Sequence, residues 1–115
     1  MRLDLRSTPA EEADALIAAG CAVVFTSNGA LSATYALDQI TLDQIGSVAN
    51  DSANGLGLPL GADYFSYPDK SGTPRMFAAD EVQALYTTLR DYFTLLSYYR
   101  AGQIGVLPPQ PITIP

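Results

Sequence analysis

Residues 65–93 read FSYPDKSGTPRMFAADEVQALYTTLRDYF, and the fold turns on how this stretch is divided. Two runs carrying aromatic residues flank Asp69-Lys70-Ser71-Gly72, and apolar residues then recur at helical rather than alternating spacing. A switch from a period of two to a period near 3.6 predicts a hairpin that feeds a helix. Strands are expected near 63–67 and 74–77, followed by a helix from about Ala79 to Arg100, the longest in the chain. In the turn, Asp69 is suited to accept backbone N–H bonds and Gly72 to supply positive φ. A calcium loop would need further oxygen ligands at fixed offsets, where Lys70, Thr73, Pro74 and Arg75 stand instead. Asp69 and Gly72 are therefore read as turn-forming.

Within the long helix, Val82, Leu85, Leu89, Tyr92, Leu96 and Tyr99 fall at alternating spacings of three and four, a heptad-like seam. Tyr86 and Phe93 widen it on one side, and Leu95 and Tyr98 extend it further round. Two arrangements account for so broad an arc. Either the second helix and both hairpins cover it entirely, or one side is offered to a second chain. Tyr86, Tyr92, Phe93, Leu96 and Tyr99 are the candidate inter-subunit face under the second arrangement.

Upstream, STPAEEADALIAAG predicts a short helix: Thr8 suits the N-cap, Pro9 the first helical position, and Gly20 the end. Strands near 21–26 and 31–37 flank Asn28-Gly29, a strong hairpin signal, so these two residues are also read as turn-forming. TLDQIGSVANDSANG predicts a second helix, with Thr41 and Gln44 as a capping box and Gly55 at its end. Gly46 in its interior weakens it by up to about 1 kcal/mol, which packing must offset. LGLPLGA reads as a loop. The segment 103–115 holds four of the eight prolines and is expected to be an extended tail beyond a single domain spanning 1–102. An extended segment of this kind suits strand addition to, or groove binding on, a neighbour.

Composition narrows the chemistry. The 115 residues contain no histidine, which removes Ser-His-Asp and Cys-His arrangements and histidine metal ligands. The single Cys21 excludes an internal disulfide and, opening CAVVF, reads as a buried thiol. Glu11/Glu12, Asp38/Asp43 and Asp80/Glu81 sit near helix starts, where the macrodipole alone favours acids. No cofactor motif is present, since GLGLPLG matches neither a P-loop nor a dinucleotide fingerprint. Twelve acids against six scattered cations (Arg2, Arg6, Lys70, Arg75, Arg90, Arg100) argue against nucleic acid and anionic membranes as partners. The apolar runs are too short to span a bilayer, and the N-terminus lacks a signal peptide's apolar region. Only 16% of residues are charged, which favours apolar surface left for a protein partner. Tyr64, Phe65, Tyr67 and Phe77 form either core or a sugar-stacking platform, with Tyr64 and Tyr67 expected on the face opposite Phe65.

The segment DYFSYPDKSGTPRMFAADEVQALYTTLRDYF resembles a small domain found towards the C-terminal ends of phage tail-fibre and tail-associated proteins. It shares an aromatic strand, an Asp-x-x-Gly turn, a second strand and an aromatic, leucine-bearing helix. The preceding ATYALDQITLDQIGSVANDSANGLGLP is similar to that family's lead-in, extending the resemblance over about residues 33–100. Ala78 and Ala79 depart from it, standing where Ser or Thr would cap the helix better. The resemblance implies a virion or prophage setting, with the host cytoplasm as the site of assembly, and supplies no catalytic residues. The expected protein is a single α+β domain with two β-hairpins and three helices, non-enzymatic, self-associating or binding other tail proteins. A receptor- or glycan-binding module is the alternative, and a carboxylate-only enzyme a third.

Overall fold

The computed structural model describes residues 8–115. Arg2, Arg6 and the N-terminal region read for a signal peptide lie outside the described residues. The described residues form an α+β domain of three α-helices and five strands in two small sheets. Helix α1 (Pro9–Ala19) leads into strand β1 (Cys21–Phe25), followed by β2 (Ala33–Tyr35), α2 (Gln39–Ala53), β3 (Phe65–Pro68), β4 (Pro74–Phe77), α3 (Ala79–Arg100) and β5 (Ile112–Ile114). As expected, α3 is the longest helix.

Local chemistry explains most boundaries. Thr8 caps α1 by accepting from the Glu11 backbone N–H at 3.2 Å, while the Glu11 carboxylate accepts from the Thr8 N–H at 3.3 Å. Helix α2 begins earlier than its sequence suggests. Asp38 is the N-cap, accepting from the Thr41 N–H at 2.7 Å, and Thr41 is buried inside the first turn. An acid accepts that bond more strongly than a threonine hydroxyl, so the cap moves upstream of the Thr41–Gln44 box. Ala78 has no side-chain acceptor for α3, and Glu81 compensates in part by taking the Ala78 N–H at 2.7 Å.

The first hairpin also departs from expectation. Its strands are shorter than predicted, pairing antiparallel from Cys21–Tyr35 to Val23–Ala33. Asn28-Gly29 does not form a two-residue turn: Asn28 caps a 3-10 turn, Gly29–Leu31, by accepting from the Ala30 N–H. The Ser32 hydroxyl then takes the Phe25 N–H at 2.9 Å, ending the ladder early. Tertiary partners favour this wider loop, since Asn28 donates to Glu81 and Arg75 donates to the Ala30 carbonyl.

The tail contains a strand that the residue pattern had not marked. β5 pairs parallel with β1, making β1 the middle of a three-stranded sheet ordered β2-β1-β5. β3 and β4 form the second sheet, in antiparallel register from Phe65–Phe77 to Pro68–Pro74. The Lys70 N–H bonds the Thr34 carbonyl at 2.8 Å and ties the two sheets together. Between sheets and helices lies one core, in which Phe77 meets Phe25 at 6.3 Å and Tyr35 at 5.9 Å between ring centroids.

Candidate functional site

The acids come first, because they are the only general acid–base groups in quantity. Asp69 is nearly enclosed, and its Oδ1 accepts from the Ser71 N–H (2.9 Å), the Ser71 hydroxyl (2.6 Å) and the Thr73 N–H (3.0 Å). Its Oδ2 accepts from Arg75 Nε and Nη2 at 3.0 and 2.8 Å. The Ser71 hydroxyl bond, then Arg75, hold the carboxyl down at about 2. Both carboxylate oxygens are thus occupied, by Ser71 and Thr73 of the turn and by Arg75 on β4, and Gly72 adopts φ +91°. Asp38 is likewise held below its usual value, first by the Thr41 backbone bond. Asp14 pairs with Arg100, Asp91 with Arg90, and Glu12 accepts from the Tyr99 hydroxyl. Among the described residues no three acid or thiol side chains converge. Cys21 is enclosed, and burial pushes its thiol up to about 11, well away from a reactive thiolate.

The five aromatic and apolar residues of the candidate α3 face are committed within the chain itself. Leu96 and Tyr92 are buried in the core. The Tyr86 ring lies over Gly46 of α2, where an added methyl would come within 2.6 Å of it, and Arg90 stacks on that ring at 5.8 Å. Tyr99 reaches Glu12 of α1 at 3.2 Å, and Phe93 packs partly buried against the core. Tyr92 and Leu96 therefore cannot present an interface, and the remaining three have intramolecular contacts. Only Leu95 and Tyr98 leave substantial apolar surface on this helix.

The aromatic platform is also rearranged. Phe65 and Tyr67 share one face of β3, as a period of two requires, with rings stacked at 5.8 Å. The Tyr67 hydroxyl donates to Gln44 at 2.6 Å, leaving Tyr64 alone as the exposed ring of the group.

A more prominent surface feature lies in the loop after α2. Leu58 turns down into the core, while Leu56 and Leu60 on either side turn out, at 74% and 103% relative exposure. Leu60 holds φ +64°, a left-handed conformation unusual for a leucine, and Gly57 and Gly61 beside it share that hand. The loop borders an open pocket of about 420 Å³ lined by Val48 and Asp51 of α2 and by residues 56–61. The clue in the sequence was the leucine alternation of LGLPLG, which a reading of that stretch as punctuation passes over. No helix among the described residues is long and apolar enough to cross a membrane.

The chain matches no family model, no curated protein and no solved structure.

Proposed function

We propose that the chain is a non-enzymatic structural or adaptor module of a phage tail or tail-like particle, acting through protein–protein contacts. The observation that carries the contact role is Leu60, an apolar side chain held fully in solvent on a left-handed backbone beside an open surface pocket. Left-handed backbone costs a leucine about 1 kcal/mol, and exposure returns nothing to the isolated fold. Insertion into a partner would offset that cost. The exposed Leu56 beside it and the sparse surface charge support the same role. The particle setting is supported by the resemblance over about residues 33–100.

Light scattering over a dilution series tests the contact. Leu60→Gly should leave folding unchanged to within about 1 kcal/mol, because glycine adopts φ +64° freely. The same change should weaken association at least about tenfold, by removing a buried anchor at the contact. A wild-type chain that stays monomeric at every concentration, or a Leu60→Gly variant that associates equally well, counts against the reading. Mass spectrometry of phage or tail-like particles induced from a strain that carries the gene tests the setting, and the chain's absence from them would refute it.

A further inference from the structure

The C-terminal segment sits on the domain as a peptide ligand sits in a receptor. Its last strand adds to the β1 edge in parallel, with Ile112, Thr113 and Ile114 opposite Val23, Val24 and Phe25. The Thr26 N–H then closes on the Ile114 carbonyl at 3.0 Å. Alternate side chains, Ile112 and Ile114, pack against the core, and Leu107 does so further upstream. Between these anchors, the Gln110 carboxamide uses both ends. Its Oε1 accepts from the Ala22 N–H at 2.9 Å, and its Nε2 donates to the Tyr92 hydroxyl at 2.9 Å and the Gly20 carbonyl at 3.3 Å. Tyr92 in turn donates to the Pro108 carbonyl at 3.1 Å. Main-chain pairing, alternate apolar pockets and one side chain read at both ends are the ingredients of strand-addition recognition.

The connection to α3 is far less constrained than the strand. After the Gln103 N–H returns to the Tyr98 carbonyl, no hydrogen bond among the described residues holds residues 104–107. Gly102 and Gly105 have open space around them, and Val106 is exposed.

We infer that this tail exchanges between copies: residues 107–114 of one chain occupy the β1 edge of a second copy in place of that copy's own. The groove is complementary to the sequence it already holds, so each contact made within a chain is reproduced between chains. Only the connection changes. Exchange therefore costs mainly the effective concentration of a tethered segment, on the order of millimolar, which crowded copies in an assembly supply. The inference rests on the assembly reading and adds to the Leu60 contact a second one, between copies of this chain, at the β1 edge.

Two full-length single variants provide the test. Val24 and Thr113 are register partners on β1 and β5, and both side chains reach solvent. One chain carries Val24→Cys and the other Thr113→Cys, while the buried Cys21 does not compete. Mixed at high concentration and then oxidised, they should give a 24–113 mixed disulfide. Adding Gln110→Ala to the Thr113→Cys chain weakens the donated tail and should cut the yield about fivefold or more. Adding it instead to the Val24→Cys chain vacates the receiving edge and should raise the yield. This opposition does not arise from random collision. Equal yields from the two placements, or no mixed disulfide, overturn the exchange. If the wild-type chain still associates by light scattering in that case, assembly proceeds through another face and the broader reading stands.

Discussion

At the scale of single residues, this chain uses its charges to fix turns and helix ends. Asp69 shows the pattern at its strongest, with five hydrogen bonds converging on one carboxylate from three residues. Those bonds favour the ionised form, and the folded value of about 2 lies below the ordinary 3.8. As pH falls through about 4, the unfolded chain binds this proton first. The stabilisation is therefore complete at neutral pH and drains away as pH drops towards 2. Asp69→Asn should lower the urea midpoint at pH 7, and the gap to wild type should narrow progressively between pH 4 and 2. Asp38 keeps part of the acid dependence in both proteins, because its own carboxyl is also held low by its cap bonds. A gap that stays constant across that range would mean Asp69 acts only through shape.

Elements were legible in the sequence where their signals are local. The seam Val82, Leu85, Leu89, Tyr92, Leu96 is the buried stripe of α3, because 3.6-residue periodicity records which face of a helix is dry. It does not record what covers that face, and here α1, α2 and the tail cover it, which is why the inter-subunit reading of Tyr92 and Leu96 fails. Gly46 shows the same division. Its helix-weakening cost is visible in the sequence, whereas the reason for it, the Tyr86 ring pressed on the bare backbone, needs the contact. Two effects then compete in Gly46→Ala. Propensity favours alanine by about 1 kcal/mol, while crowding of a methyl 2.6 Å from the Tyr86 ring costs about 1–3 kcal/mol. The net change should be destabilising in the wild-type background and stabilising once Tyr86→Ala has removed the ring. A double-mutant cycle by urea denaturation reads the coupling directly. Additive effects of the two substitutions would show that the contact is loose.

For the whole molecule, the decisive link is the longest-range one. β5 lies almost the whole length of the chain beyond the strand whose backbone it completes, with Ile112, Thr113 and Ile114 opposite Val23, Val24 and Phe25. No local rule places a three-residue strand between prolines beside a partner so distant, although the Ile-Thr-Ile alternation was there to be read. The candidate surface was hidden for a related reason: Leu56 and Leu60 are exposed only because Leu58 anchors the loop between them. The tail's share of stability follows from its contacts. Leu107, Ile112 and Ile114 are each partly buried against the core, contributing about 1 kcal/mol apiece, and the Gln110 bonds add about 1–2 kcal/mol. Deleting residues 103–115 should therefore cost about 4–5 kcal/mol, a large share of the 5–15 kcal/mol typical of a domain. The contacts joining α1, α2 and α3 do not pass through the tail, so helical circular dichroism should persist at low temperature while the urea midpoint falls. The bared β1 edge should also change the oligomer size seen by light scattering, since an unpaired strand edge recruits other chains. A truncated chain with the wild-type midpoint and the wild-type oligomer size would show that β5 is a passive appendage.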